Sequence, residues 1–446
     1  MRNRLSLSKS KVVHRDVRKD SRPKERSLAK AKRRQTKSPD LRQSGGFTGV
    51  ASNKFWLIFI VLLINVLGSL MVLSASSIES ILQYGSPWSV FEHQLMWLVI
   101  GGIGFIIASR VDYHIWKRIS PVLLIISGIL LMAVLVPGIG LNALGSSRWV
   151  GAGPIKLQPS ELAKLALVIF GADLLSRRQD FIDDWRRSIR PLVLIFGAFA
   201  ALVMLQPDMG TTMVIFLTMV SLLFIAGAQK KHLGTLSIVL LMGGVIYGIL
   251  EPYRRERLTS FLHPFAQSAT GGYQVVQSLS ALGSGHIMGV GLGASKAKWG
   301  FLPNSYTDFI FSIIGEELGL IGTLFVILLF VGLAVICIRI AMNSPDKFGK
   351  LLAGGITAWI MIQAIINIGA VTDVLPVTGI PLPFISYGGS SLVLALVSMG
   401  ILSSISTETS RAGPKLSLIH PVQAPRHVKR AQANKDHFRN FRNKTR

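Results

Sequence analysis

"FLPNSYTDFIFSIIGEELGLIG" occupies residues 301–322 and combines two features that seldom occur together. From Phe309 onward it begins a long apolar run of the kind that crosses a bilayer, yet it carries Asp308, Glu316 and Glu317. A charged side chain inside a membrane is costly unless it is paired or faces a water-filled cavity. The stretch therefore predicts a membrane helix whose acidic side chains, near one of its ends, are either paired or part of a polar site.

The composition of the whole chain predicts an integral membrane protein. Half of the 446 residues are hydrophobic, only 16% are charged, and the mean hydropathy is +0.49. A soluble domain cannot bury that much apolar surface. We expect an all-α polytopic fold with about ten transmembrane helices, centred on apolar segments at 55–73, 94–109, 120–136, 161–175, 191–205, 211–227, 233–250, 309–338, 351–371 and 385–405.

Most of the net charge of +26 lies at the two ends of the chain. Residues 1–54 hold 17 Lys and Arg against four acids, and residues 411–446 hold ten against one. This composition predicts disordered cytoplasmic tails over 1–54 and 407–446 that contact anionic lipids. Aromatic side chains are almost absent from both tails, which disfavours nucleic-acid binding.

The connections between the apolar segments divide by charge. Those predicted to be cytoplasmic, at 110–119, 176–190, 228–232 and 339–350, hold 13 Lys and Arg, as the positive-inside rule requires. The predicted outer side includes a long loop, 251–308. Seven basic residues fall on that side: Arg148, Lys156, Arg254, Arg255, Arg257, Lys296 and Lys298. Their presence there suggests an anionic ligand outside the membrane.

The three acids of the opening stretch allow more than one interpretation. Asp308 either caps the following helix, with Ser305 as the N-cap residue, or serves as a general base facing the outer loop. Glu316 and Glu317 lie about 12–14 Å deeper, at about 1.5 Å per residue. They belong either to structural ion pairs or to a polar cavity.

Two further motifs allow either a purely structural or a functional interpretation. Glu161 and Lys164 are spaced i,i+3, which suits a helical ion pair or, at membrane depth, a site. "GVGLGASKAK", residues 289–298, is either a flexible turn or a cradle in which backbone amides and lysines hold a diphosphate. The nine histidines and the single cysteine, Cys337, show no metal-ligand spacing.

Three stretches together resemble one protein family. They are "LQPSELAKLAL" (157–167), the run from Tyr273 to Gly322 that contains "SYTDF", and "LPFISYGGSSL" (382–392). They resemble the SEDS proteins of bacterial cell-wall synthesis, which include FtsW, RodA and a sporulation homologue. The resemblance extends over about residues 55–406 and leaves out both tails.

The resemblance implies a glycosyltransferase that polymerises lipid II at the outer face of the cytoplasmic membrane. Asp308 matches the catalytic aspartate of the family. The residues implied in binding the substrate or its pyrophosphate are Arg148, Trp149, Lys156, Glu161, Lys164, Gln274, Lys296, Lys298, Ser386 and Tyr387. The resemblance implies an inverting displacement that releases undecaprenyl diphosphate. A divalent cation, Mg²⁺ or Mn²⁺, is a further expectation at the diphosphate, although the sequence shows no dedicated metal site.

The resemblance also implies a cellular setting. We expect a multi-pass protein with both termini in the cytoplasm, working with a class B penicillin-binding protein and other division proteins. The "YRRERLTSFLHPF" segment and the basic tails favour a septal, FtsW-like role, whereas "PVTGIPLP" is similar to RodA-type elongation enzymes or to FtsW-like variants from other lineages. Two other functions stay open, a lipid II flippase and a membrane scaffold. Asp173 is the residue that would best suit a flippase.

Overall fold

The structure, a computed structural model, describes residues 46–138, 140–143, 146–152, 155–250, 255, 259–269 and 271–412. Most of both predicted tails therefore lies outside the described residues. The first helix already begins at Gly46 and the last ends at Ala412, so residues 46–54 and 407–412 continue helices and do not belong to disordered tails.

In the part of the chain that the structure describes, ten long helices follow the ten apolar segments. They are α1 (Gly46–Tyr84), α2 (Ser89–Arg110), α3 (Tyr113–Val134), α4 (Pro159–Arg177), α5 (Arg190–Met204), α6 (Met209–Ala226), α7 (Lys230–Leu250), α9 (Ile310–Asn343), α10 (Lys347–Val371) and α11 (Gly389–Ala412), with a shorter helix α8 (Tyr273–Ser284) between the seventh and eighth. Among the described residues, eight helices are long and apolar enough to cross a membrane. The predicted helical, polytopic membrane fold is thus confirmed.

The connection between α3 and α4 differs from the all-α prediction. It forms a small antiparallel sheet of three strands, β1 (Leu141–Ala143), β2 (Ser146–Ala152) and β3 (Ile155–Leu157), in the order β1-β2-β3. Two of the strands are only three residues long, and the glycines beside them hide any alternating pattern in the sequence. The sheet matters because β2 carries two of the predicted site residues.

Contacts at one end of the bundle agree with the predicted even number of spans. The Tyr113 hydroxyl donates to Asp346 Oδ1 at 2.7 Å, which joins the connections before α3 and α10. Lys54 Nζ donates to Thr407 Oγ1 at 3.0 Å, which joins the start of α1 to the end of α11. The first and last helices therefore reach the same end of the bundle.

Helix α9 is interrupted within its first third. Gly319 has φ +67° and ψ −163°, a backbone geometry that breaks the helical hydrogen-bond ladder. The segment before it in sequence fills the gap: the Leu320 amide donates to the His286 carbonyl at 2.9 Å, and the Val290 amide donates to the Glu316 carbonyl at 2.9 Å. The next amide in each segment makes the same kind of bond: Ile321 donates to the Ile287 carbonyl, and Gly291 donates to the Glu317 carbonyl. A loop segment thus completes the hydrogen bonding of a membrane helix.

Candidate active site

Asp308 lies in the turn that leads into α9. The helix begins at Ile310, two residues later, and Ser305 is not its N-cap residue. The Ser305 hydroxyl instead donates to the Ala75 carbonyl of α1 at 3.5 Å. The capping interpretation is therefore wrong, and Asp308 keeps a partly exposed side chain at the head of the helix.

Helix α10 holds the main chain of this turn. Asn367 Nδ2 donates to the carbonyl of Asp308 and to that of Ile380, both at 2.7 Å. The segment after α10 also passes beside the carboxylate, because a Cβ atom at Gly379 would lie 3.5 Å from Asp308 Oδ2. Gly379 has φ +71°, which a glycine adopts without strain. The catalytic candidate is thus enclosed by the 373–388 segment on one side.

The "SYGG" motif reaches the same turn. The Ser386 hydroxyl donates to the Thr307 carbonyl at 2.5 Å and accepts the Leu382 amide at 2.8 Å. The Tyr387 amide donates to the Tyr306 carbonyl at 3.0 Å, and the two tyrosine rings meet edge to face at 5.7 Å. The structure therefore brings Ser386 and Tyr387 to Asp308's turn, where they act on its backbone.

Burial changes the ionisation of three groups around this turn. It raises the pKa of the Tyr306 phenol and that of the Tyr387 phenol further above the usual value, because burial disfavours the ionised form. Burial also raises the pKa of the Asp373 carboxyl, in the same 373–388 segment. Asp373 has φ +58°, a left-handed geometry that aspartate tolerates better than most residues.

The predicted Glu161–Lys164 pair exists, but it is buried inside the bundle. Lys164 Nζ donates to Glu161 Oε1 at 2.8 Å and to Gln363 Oε1 at 2.9 Å, and it lies 5.5 Å from the centre of the Trp359 ring. Gln363 Nε2 donates to the Pro381 carbonyl at 3.1 Å. The pair is therefore linked to the segment beside Asp308 through one glutamine.

Arg148 extends from β2 to the start of α6. Its Nε donates to the Gln206 carbonyl at 3.3 Å and its Nη2 to the Pro207 carbonyl at 2.5 Å. Nη1 lies 4.0 Å from Asp208 Oδ1, and Asp208 in turn caps α6 by accepting the Thr211 amide at 3.0 Å. The Arg148 side chain is only about a quarter exposed, at 27%. Arg148 thus ties the sheet to a helix start.

The other predicted residues of the outer loops lie at separate places. Trp149 is partly exposed on β2, and Lys156 is exposed on β3. Gln274, in the first turn of α8, donates to the Pro303 carbonyl at 3.2 Å and so supports the chain leading to Asp308. Lys296 has an exposed side chain.

Lys298 does not face solvent, contrary to what its predicted role requires. Its Nζ donates to the Gly293 carbonyl at 2.7 Å and pairs with Glu317 Oε1 at 3.4 Å, with the lysine side chain 5% and the glutamate side chain 0% exposed. The Ser74 hydroxyl of α1 donates to the same carboxylate at 2.6 Å. Of the two alternatives for Glu317, the structure shows the buried ion pair.

Glu316 occupies the amide groups that the "GVGLGASKAK" motif offers. Its carboxylate accepts from the Ser295 hydroxyl at 2.5 Å, from the Lys296 amide at 2.9 Å and from the Ala297 amide at 3.3 Å. The Val290 and Gly291 amides, earlier in the motif, donate to the Glu316 and Glu317 carbonyls of α9 instead. The cradle exists, but a carboxylate of the protein fills it, so the interpretation of its amides as a diphosphate site is wrong.

Two site residues, Gln363 and Asn367, escaped the sequence interpretation. Both are buried in α10, which is otherwise almost entirely apolar. The available signal was two amide side chains spaced i,i+4 in a predicted membrane span, since polar side chains at that depth are usually paired or functional. Among the described residues, no group of three or more His, Cys, Asp and Glu side chains could hold a metal ion.

Comparisons with known proteins agree on one family. The FtsW/RodA/SpoVE sequence model, described as a cell cycle protein, matches residues 55–411. Stage V sporulation protein E of Bacillus subtilis is 43% identical over 351 residues, which cover 78% of this chain and 96% of that protein. A probable peptidoglycan glycosyltransferase FtsW of Coxiella burnetii is 40% identical over 357 residues, covering 79% of this chain and 96% of the relative.

A solved structure supports the same assignment. A chain from a study of the structural coordination of polymerization and crosslinking by a peptidoglycan synthase complex superposes with a TM-score of 0.66 at 26% identity, covering 79% of this chain and 97% of that chain. The region that the sequence model matches, residues 55–411, contains helices α2 to α10 and the whole Asp308 turn. The protein therefore belongs to the FtsW/RodA/SpoVE family of cell cycle proteins.

Proposed function

We propose that this protein is a peptidoglycan glycosyltransferase that polymerises lipid II into glycan strands at the outer face of the cytoplasmic membrane. The observation that carries the proposal is the position of Asp308, a partly exposed acid in the turn that leads into a membrane helix. Asn367 of α10 and Ser386 of the 373–388 segment hold the backbone carbonyls of this turn. Relatives named peptidoglycan glycosyltransferase, about 40% identical over most of the chain, support the reaction class.

The proposed reaction is a single displacement. Asp308 takes the proton of the acceptor sugar's 4-hydroxyl while that oxygen attacks the anomeric carbon of the lipid-linked donor. The bond between the anomeric carbon and the diphosphate oxygen breaks, and undecaprenyl diphosphate leaves with the electron pair. Attack from the face opposite the leaving group inverts the anomeric centre.

Negative charge develops on the departing diphosphate and requires cations near it. Lys156 and Lys296 have exposed side chains that suit this role, and Arg148 is partly exposed. Lys164 and Lys298 are engaged by Glu161 and Glu317, so we assign them no direct contact. A divalent cation remains part of the proposal. It would take its ligands mainly from the diphosphate and from water, as Mg²⁺ commonly does.

The basic residues of the chain support a topology with the Asp308 turn outside the cell. Both tails and the connections 110–119, 176–190, 228–232 and 339–350 are rich in Lys and Arg, which favours the cytoplasm for that end. Both termini are then cytoplasmic. A role at the division septum is the preferred setting, with RodA-type elongation as the alternative for the same chemistry.

The proposed partner is a class B penicillin-binding protein that cross-links the new strand. The support is the similarity to a chain studied in a peptidoglycan synthase complex. Other division proteins, and anionic lipids at the basic tails, complete the proposed set of partners. The tails lie outside the described residues, so their contribution rests on charge alone.

The flippase alternative gains little from the residue that suited it best. Asp173 is buried at the end of the bundle opposite Asp308, and its Oδ1 pairs with Arg177 at 2.7 Å and with Lys117 at 3.8 Å. A carboxylate held by two cations serves the structure without any transported ligand.

Reconstitution with labelled lipid II tests the proposal. The protein in vesicles should produce glycan chains, and Asp308→Asn should lower the rate by about 10²–10⁴-fold, the usual contribution of general base catalysis. Asp184→Asn, which makes the same change of charge at a helix-capping residue at the opposite end and keeps the capping oxygen, is the control and should polymerise at the wild-type rate. Wild-type rates from Asp308→Asn, or lipid II scrambling without polymer, would contradict the proposal.

A further inference from the structure

Two amide side chains of α10 face the segment that runs beside Asp308. Gln363 and Asn367 are one helical turn apart and are 1% and 2% exposed. Gln363 Nε2 donates to the Pro381 carbonyl, and Asn367 Nδ2 donates to the neighbouring Ile380 carbonyl. The two amides therefore hold consecutive peptide groups of the 373–388 segment against α10.

Asn367 also makes a bond that Gln363 does not. Its second N–H donates to the carbonyl of Asp308, so one amide group bridges the Asp308 turn and the 373–388 segment. Both neighbours are carbonyl oxygens at 2.7 Å, which requires that the nitrogen, and not the oxygen, faces them. The bridge between the two segments therefore uses both N–H groups of the single Asn367 Nδ2 atom.

The amide oxygens show a second difference. Gln363 Oε1 accepts from Lys164 Nζ at 2.9 Å and from Trp359 Nε1 at 3.2 Å. Within the described part of the chain, Asn367 Oδ1 is buried without a hydrogen-bond partner. Leaving a buried acceptor unpaired is costly, so the geometry of Asn367 is set by its two donor bonds and not by its oxygen.

We propose that Asn367 and Gln363 are positioning residues that fix the Asp308 carboxylate relative to the bound sugars. Asn367 does so directly, by holding the Asp308 carbonyl. Gln363 does so by holding the facing segment, and it transmits the effect of the buried Lys164–Glu161 pair. Lys164 therefore acts on Asp308 through Gln363 and does not need to touch the diphosphate. This inference rests on the proposed glycosyltransferase function.

The physical reason is that proton transfer depends steeply on distance. A general base has to lie within hydrogen-bond reach of the hydroxyl that it deprotonates. A displacement of 1 Å by a mutation away from the reacting atoms can cost about 10²-fold in rate. Loss of the Asn367 bridge removes a hydrogen bond that holds the Asp308 carbonyl. The carboxylate is still present and can still accept a proton, but its position is less well fixed.

Asn65 provides a matched control. It is also a buried asparagine in a membrane helix, its Nδ2 donates to the Val61 carbonyl at 2.7 Å, and its Oδ1 has no hydrogen-bond partner within the described residues. Its bond stays within α1 and holds neither the Asp308 turn nor the 373–388 segment. Asn65→Asp and Asn367→Asp therefore make the same chemical change at the same level of burial and differ in what the amide holds.

The experiment measures kcat and KM for lipid II polymerisation together with thermal unfolding of the purified full chain. Asn367→Asp should lower kcat by about 10²-fold with KM nearly unchanged. Asn65→Asp should leave kcat unchanged at a similar loss of thermal stability. Gln363→Glu keeps the oxygen that faces Lys164 but loses the donor to Pro381, and should lower kcat by about tenfold, a smaller share of the same positional effect.

A second measurement follows the backbone independently of activity. Hydrogen exchange of the amides in 378–387 should accelerate in Asn367→Asp and stay unchanged in Asn65→Asp. Equal kcat values for Asn367→Asp and wild type, or a loss confined to KM, would overturn the inference alone. Absence of polymer from wild type and from Asn65→Asp would instead remove the proposed function, and the inference with it.

Discussion

Asp308 and Glu317 lie within ten residues of each other at the start of α9, in opposite surroundings. Glu317 is fully buried, accepts from the Ser74 hydroxyl and pairs with Lys298. Asp308 is partly exposed, and other elements hold its carbonyl and that of Thr307.

The difference separates two uses of an acid in a membrane protein. Where the carboxylate itself is saturated with donors, as in Glu316 and Glu317, it anchors a loop to a helix. Where the main chain is fixed and the carboxylate stays accessible, as in Asp308, the group is suited to exchange a proton with a ligand. Sequence alone cannot separate the two, because all three acids occupy one motif.

The largest effect on stability should follow from breaking the buried pair. Glu317→Ala leaves the Lys298 ammonium without its counter-charge in a buried site, and should destabilise the protein by about 3–5 kcal/mol. Replacing both partners in Glu317→Leu/Lys298→Leu should recover most of that loss, because the desolvated charge is gone. Unfolding of the purified protein in detergent measures both.

One result for Glu317→Ala would contradict the distinction between Asp308 and the structural acids. If Glu317→Ala were as stable as wild type but failed to polymerise lipid II, Glu317 would belong with Asp308 and not with the structural acids. Equal destabilisation of the single and the double variant would show that packing, and not the ion pair, stabilises this region.

An intermediate effect is expected from the loop segment that fills the α9 break. Gly289 has φ +80°, and a Cβ atom there would overlap the Glu317 carbonyl oxygen. Gly291 has φ +103°, but a Cβ atom there meets open space. Gly289→Ala should therefore cost more than Gly291→Ala, by about 1–3 kcal/mol, the usual cost of overpacking.

Thermal unfolding of both alanine variants measures this difference, since both share the strain of a positive φ. Equal losses would mean that the close approach of the two backbones contributes nothing. Polymerisation by the folded fraction should persist in both, because neither glycine touches the Asp308 turn.

The smallest effect concerns pH. Burial raises the pKa of Asp373, so its ionised form is disfavoured in the folded state. The stability that goes with the protonated form is present below the unfolded pKa and is lost as pH rises through the folded pKa. Asp373→Asn imitates the protonated form and tolerates the same backbone geometry. The variant should therefore gain stability relative to wild type as the pH rises from about 4 to 7, by about 1 kcal/mol or less.

Denaturation midpoints of both proteins across that range measure the effect. A constant difference at every pH would show that Asp373 titrates normally.

The helices were predictable because hydrophobic length alone identifies a membrane span. Their ends were less so: residues 46–54 and 407–412 lie outside the predicted apolar segments yet are helical. The strands β1 to β3 left no pattern, since short strands beside glycines do not alternate visibly. The family resemblance predicted Asp308, Ser386 and Tyr387 as residues of one site, and the structure brings them to one turn; hydropathy could not connect positions so far apart in sequence.

The failures share one physical cause. Lys298 and the "GVGLGASKAK" amides look available in sequence, but Glu316 and Glu317 consume them. Pairing of this kind depends on which segments meet in three dimensions, and local residue patterns carry no information about it. Asn367 and Gln363 were detectable in principle, as amides in an apolar span, but not assignable to Asp308.

The break at Gly319 also determines how this region opens. Peptide groups of α9 and of the 286–291 segment complete each other's hydrogen bonds, so neither can separate alone without exposing unpaired amides to lipid. Loop and helix therefore form a single cooperative unit with one opening free energy. Anything that clamps the loop from outside protects amides within the bilayer from exchange.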